Sequence, residues 1–140
     1  MPPNRRYYFD TSIWLDFLEN RDEPHLPKGE WAHKLLNKLT KDEDKVIFSD
    51  NNIYELNLLG YPLYELGRIF RPLKPILLFV ESTEKQNKKA RDLSSKRDVP
   101  QRDALHALIA RDNRSILVTL DRHFQKLRDI TPPNRPQDLI

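Results

Sequence analysis

The 140-residue chain carries a formal net charge of +3, is 38% hydrophobic and 32% charged, and holds no cysteine. That length suits one domain, residues 1–140, with one sizeable core, and the charge requires a densely ionic surface. Without cysteine there are no disulfides, thiolate zinc sites or cysteine nucleophiles, so any bound metal must be held by oxygen or imidazole, which points to a hard ion.

The longest uncharged apolar run, residues 75–80, is far too short to cross a bilayer, and the start Met1-Pro2-Pro3-Asn4-Arg5-Arg6 has no hydrophobic signal segment behind it. A cytoplasmic protein without a membrane partner is expected.

In chain order, residues 7–9 read as a strand and 12–18 and 31–39 as helices. Residues 46–48 read as a second strand, 53–59 and 63–70 as helices, and 76–80 as a third strand. Helices follow over 84–93 and 101–111, then a fourth strand over 116–120 and a helix over 122–127. The strands are short apolar runs, three of them rich in β-branched or aromatic residues, whereas the helices space their apolar residues by three and four. Pro24, Pro27, Gly29, Gly60, Pro62, Pro72 and Pro75 punctuate these segments, the tail 132–136 should be extended, and 138–140 is compatible with a short closing turn. Strands alternating with helices indicate an α/β fold, a parallel sheet covered on both faces.

Asp10 follows the first strand and Asp121 the fourth. In an open parallel sheet the carboxyl ends of the strands form the ligand-binding rim, which would bring both side chains together; a helix cap explains either one equally well alone. Glu55 has Leu58 and Leu59 one turn on, which places its carboxylate inside an apolar stripe where a partner cation would offset its burial. Asp103 lies in the first turns of a helix beside the small Ala107 and Ala110; attraction to the helix dipole is the competing explanation. Taken together, four carboxylates in one cleft would repel strongly without a cation, and Mg2+ or Mn2+ suits an all-carboxylate site. Such a site can activate water against a phosphodiester and stabilise the leaving oxygen.

Thr119, two residues before Asp121 on the same strand face, is a hydroxyl able to hold a carboxylate or a metal's water. Ser12 reads as the cap of the following helix, and Thr11 stays open. His25, His33, His106 and His123 have no paired metal spacing and read as surface or core histidines, with His106 and His123 kept as groups able to support the ligands. Trp14, Trp31 and the tyrosines read as core. Charge is uneven: Lys85, Lys88, Lys89, Arg91, Lys96, Arg97 and Arg102 face only Asp92 and Asp98 across one segment. This is either a phosphate-binding stripe or a solvated helix face.

Four blocks occur in order: Tyr7-Tyr8-Phe9-Asp10-Thr11-Ser12, then Tyr54-Glu55-Leu56, then Arg102-Asp103-Ala104-Leu105-His106-Ala107, then Leu117-Val118-Thr119-Leu120-Asp121-Arg122-His123-Phe124. In this the chain resembles the PIN-domain ribonucleases, including the VapC-like toxins, over nearly its whole length. The resemblance implies a three-layer α/β/α fold with a central parallel sheet of four or five strands. It also implies a metal site of Asp10, Glu55, Asp103 and Asp121 supported by Thr119, endonucleolytic cleavage of RNA, a homodimer, and a small antitoxin partner. The segment from Gly60 to Pro75 departs from the family pattern, and a dimer surface there is the least supported part of the expectation. Position 12 is Ser and not the second Asp of a haloacid-dehalogenase-like site, and with only Gly29, Gly60 and Gly67 there is no glycine-rich phosphate loop. The competing readings are a non-catalytic RNA-binding or scaffold protein on the same fold and a housekeeping RNA-processing nuclease.

Overall fold

The computed structural model describes residues 4–140; Met1, Pro2 and Pro3, read above only as the start of a charged N-terminus, lie outside them. In chain order the elements are β1 (Arg6–Phe9), α1 (Thr11–Glu19), β2 (Asp22–Glu23), β3 (Leu26–Pro27), α2 (Lys28–Lys41), β4 (Lys45–Ser49), α3 (Asp50–Leu58) and α4 (Leu63–Phe70). They continue with β5 (Leu77–Val80), α5 (Glu84–Arg97), α6 (Gln101–Asp112), β6 (Ile116–Val118) and β7 (Pro133–Asn134), with 3-10 turns at Arg71–Leu73, Arg122–Leu127 and Pro136–Asp138.

The central sheet has five strands in the order β5-β4-β1-β6-β7, all parallel. Alternation along each strand divides the core in two. Tyr7, Phe9, Val46 and Phe48 join one layer with α1, α2 and α4, where Trp14 packs among Phe9, Phe17, Phe48 and Phe70. Tyr8, Ile47 and Leu117 join the other with α5, α6 and the Arg122–Leu127 turn. The α/β/α layering expected from the sequence is therefore present. Since the chain leaves β1 for β4 on one side and reaches β6 on the other, the strand order reverses beside β1, and the carboxyl ends of β1 and β6 flank that crevice.

Several local expectations need correction. The segment 122–127 is a 3-10 turn, and the two-residue strands β2 and β3 form a hairpin that no periodicity announces. Within the extended tail, β7 joins the sheet as a fifth strand on β6. Asp10, not Ser12, is the N-cap of α1, accepting from the Ile13 amide at 3.2 Å. Leu58 and Leu59 are 70% and 57% exposed, so α3 buries Asn51, Asn52 and Leu56, and no apolar stripe encloses Glu55. Tyr54 and Tyr64 are likewise exposed and lie outside the core. Among the described residues, no helix is long and apolar enough to cross a membrane.

Candidate active site

β1 ends in Phe9 and hands the chain directly to Asp10, whose amide still bonds the Val118 carbonyl of β6 at 3.1 Å. The Asp10 side chain is buried and fixed at both oxygens. Ser12 donates to Oδ1 at 2.8 Å and Thr119 to Oδ2 at 2.7 Å. Burial pushes this carboxyl up to about 6, against the opposing effects of Thr119, His106, Ser12 and the Ile13 amide. Thr119 also accepts from the Asp121 amide at 3.0 Å, so one hydroxyl holds an Asp10 oxygen and the backbone of Asp121. β6 ends at Val118, so Thr119 and Asp121 lie beyond the strand and do not share a strand face as the sequence suggests; the Thr119 hydroxyl holds the Asp10 carboxylate.

Glu55 projects from α3 into the same crevice. Its Oε1 accepts from Thr11 at 2.7 Å and meets His106 Nε2 at 2.5 Å. The other ring nitrogen of His106 lies 2.5 Å from the Tyr8 hydroxyl, which bonds Ser49 at 2.7 Å. His106 is 1% exposed, and it reaches the site only because α6 crosses the sheet face that carries Tyr8. Burial raises Glu55, but the His106 bond and charge, Thr11 and Arg102 outweigh it and hold the carboxyl below its ordinary value. Burial drives the Tyr8 hydroxyl well above its ordinary value, with Ser49 opposing.

Asp103 lies in the first turn of α6, where the dipole favours an anion. Even so, its carboxyl is pushed up to about 6, first by burial and then by the charge of Asp121, with Asp10 and Glu55 adding and His106 opposing. Asp103 is thus the carboxylate on which the other three act. Asp121 begins the 3-10 turn and accepts from the His123 amide at 2.9 Å. That turn brings His123 Nδ1 to 3.1 Å from Asp121 and 3.3 Å from Asp103. One ligand atom each from Asp103, Asp121 and His123 lies within 4.8 Å of the others; Asp10 and Glu55 are not part of this group, Asp10 being linked to Asp121 through Thr119 and Glu55 held by Thr11 and His106. A donor set of carboxylate oxygens with one imidazole and no sulfur fits Mg2+ or Mn2+.

The basic segment divides. Arg102 lies next to the site, its guanidinium 3.8 Å from the centre of the Tyr54 ring and its Nη1 donating to Asn51 Oδ1 at 3.1 Å. Arg97 is held by Asp129 at 2.6 and 2.9 Å, and Lys96 pairs with Asp92 at 3.2 Å. Lys85, Lys88 and Lys89 line a cleft with Arg111 and Asp112 at the far end of α6. With a helical rise of about 1.5 Å per residue, that end is roughly 14 Å from Asp103. Arg91 is exposed on α5.

The model of the PIN domain matches residues 7–130. The chain belongs to the PIN domain family. Solved structures share this PIN fold at low identity. One is a toxin-antitoxin complex from Klebsiella pneumoniae, at 16% identity and a TM-score of 0.63, covering 93% of this chain and 97% of that one. VapBC2 from Rickettsia felis, bound to a DNA fragment from its promoter, is 15% identical with a TM-score of 0.65, covering 93% and 98%. PAE2754 from Pyrobaculum aerophilum is 19% identical with a TM-score of 0.60, covering 96% and 86%. No curated protein matches the sequence.

Of the further groups at this site, the sequence offers His106 and His123 only as supports without named partners, and Tyr54 only as core. The partners of His106, Tyr8 and Glu55, are distant in the chain, so its supporting role could not be tied to either from the sequence. His123 carries a local signal, two residues past Asp121, but its second neighbour Asp103 comes from another helix. Tyr54 adjoins Glu55 yet is visible as an exposed platform only once Arg102 is seen stacked on it.

Proposed function

We propose that this PIN protein, acting as one unit over residues 1–140, is an endoribonuclease that hydrolyses RNA with Mg2+ or Mn2+ held by Asp10, Glu55, Asp103 and Asp121. The observation that carries this reading is the convergence of Asp103, Asp121 and His123, whose ligand atoms lie within 4.8 Å of one another, with Asp10 linked to Asp121 through the Thr119 hydroxyl. A cation shared by these carboxylates would offset their mutual repulsion. When bound, the ion would supply Lewis-acid activation of water and charge stabilisation at the leaving oxygen.

The remaining work falls to the chain. Thr119, Ser12 and the Ile13 amide fix the Asp10 carboxylate, and Thr11 with His106 fixes Glu55, so that neither must reorganise when substrate arrives. Arg102, stacked on the exposed Tyr54 ring, offers a cation for a backbone phosphate at the mouth of the crevice. The lysines of α5 lie where only a longer RNA would reach them.

A toxin role with a small antitoxin partner is the reading favoured by the toxin-antitoxin neighbours of similar fold. Tyr54, Leu58, Leu59, Leu63 and Tyr64, close in sequence from α3 to α4, are all exposed large apolar side chains, which supports assembly with a second copy. Light scattering of the wild type and of Leu58→Glu with Tyr64→Glu tests this: a dimer becoming a monomer is expected, and a monomeric wild type contradicts it. The activity itself is tested by incubating the purified protein with mixed RNAs in EDTA, Mg2+ or Mn2+. Internal cleavage only with a divalent cation is the expected result, and intact RNA in every condition contradicts the proposal.

A further inference from the structure

We propose that His123 is a metal ligand beside Asp103 and Asp121, and that its nitrogen makes the site discriminate in favour of Mn2+ over Mg2+. This rests on the metal-dependent reading above and adds a donor that the four-carboxylate assignment does not contain.

Geometry is the first argument. His123 Nδ1 lies 3.1 Å from Asp121 Oδ1 and 3.3 Å from Asp103 Oδ2. Neighbouring ligand atoms on one octahedral ion, bonded at about 2.1 Å, stand roughly 3 Å apart. His123 Nδ1 is therefore spaced from each carboxylate as two donors on one cation would be, and the two carboxylate oxygens lie within 4.8 Å of each other. The local chain explains the spacing: the Asp121 carboxylate accepts from the His123 amide at 2.9 Å, which folds the two side chains toward each other, and the buried Phe124 anchors the turn behind them. The imidazole is half-exposed, so an ion reaches it from solvent.

Donor chemistry is the second argument. Mg2+ prefers oxygen ligands and dehydrates reluctantly, whereas imidazole is a good ligand for first-row transition ions. One nitrogen in an otherwise carboxylate site therefore strengthens Mn2+ binding more than Mg2+ binding. The same distances would also serve an Nδ1–H that merely bridges two carboxylates by hydrogen bonds, and the experiment must separate these roles.

The full chain is loaded with Mn2+ alone and examined by electron spin echo modulation, with Mn2+ affinity from the free-ion resonance signal and Mg2+ affinity by competition. The expected results are nitrogen coupling in wild type and loss of that coupling in His123→Ala. His123→Ala should also lose Mn2+ affinity by roughly tenfold or more, while Mg2+ affinity falls much less. His123→Gln keeps a hydrogen-bond donor for the carboxylates but offers no imidazole, and it should behave like the alanine variant. Mn2+-bound wild type without nitrogen coupling, an equal loss of both metals in His123→Ala, or full recovery in His123→Gln each overturns ligation by His123 while leaving the acidic metal site standing. A wild type that binds neither ion overturns both.

Discussion

His106 Nε2 lies 2.5 Å from Glu55 Oε1, and the opposite nitrogen of the same ring lies 2.5 Å from the hydroxyl of Tyr8. The ring therefore ties a carboxylate at the sheet rim to a tyrosine buried in the sheet face. His106→Ala would open a cavity and leave Glu55 with Thr11 as its remaining hydroxyl partner. We expect a loss of roughly 2–4 kcal/mol in urea unfolding together with weakened RNA cleavage. A variant as stable as wild type would show that the ring does not hold the two layers together.

Asp10 and Asp103 both have carboxyls near 6 in the folded protein against an ordinary value of 3.8. Between those values the folded state binds more protons than the unfolded state. The associated stability is fully present below pH 3.8 and is lost as pH rises through about 6. In chelator, the protein should therefore melt higher at pH 5 than at pH 7.5, the two groups together being worth on the order of a few kcal/mol. Mn2+ competes with those protons, so its stabilising effect should be larger at pH 7.5. Asp103→Asn should flatten the chelator profile and melt above wild type at pH 7.5. Asp10→Asn is the poorer choice for this measurement because Asp10 also caps α1. A chelator melting temperature that rises from pH 5 to 7.5 would refute the crowding.

Thr119 connects Asp10 to the Asp121 backbone through a single hydroxyl, donating at 2.7 Å and accepting at 3.0 Å. Thr119→Val removes both bonds at little change in volume. A destabilisation of about 1–2 kcal/mol is expected, with cleavage reduced and both recovered in Thr119→Ser. Failure of the serine variant to recover would point to the methyl group and not the hydroxyl.

Arg102 and the α5 lysines should separate by substrate length. Arg102→Gln is expected to weaken binding of short and long RNA alike, since the residue borders the acids. Replacing Lys85, Lys88 and Lys89 with Glu should weaken only long RNA and flatten the salt dependence of its binding. Equal losses on short oligonucleotides for both variants would place the lysines nearer the site than the helix length allows.

The sheet is legible in the sequence because β1, β4 and β6 are short apolar runs buried on both faces, although β5 leaves Phe79 exposed; Asp10 follows β1 directly, whereas β6 ends at Val118, three residues before Asp121. Glu55 was placed in the crevice by a mistaken argument: Leu58 and Leu59 are exposed, and what surrounds the carboxylate is Thr11 and His106. Neither partner lies near Glu55 in the chain, so no helical wheel could supply them. Ser12 misled for a related reason. Capping preference ranks Ser and Asp alike, and only the extended backbone of Asp10, at φ −65° and ψ 165°, decides between them. The hairpin of β2 and β3 is too short for periodicity to register, and β7 is held by pairing with β6 and not by its own composition.

The central claim, that these acids hold a cation that RNA hydrolysis requires, is tested most directly by Asp103→Asn. Its cleavage of RNA and its Mn2+ affinity should be measured on the same sample, alongside far-ultraviolet circular dichroism. A folded protein with sharply weakened Mn2+ binding and no detectable cleavage is expected, beside a wild type that cleaves with Mn2+ and not in EDTA. Wild-type cleavage rates in Asp103→Asn, or cleavage by wild type that persists in EDTA, would contradict it.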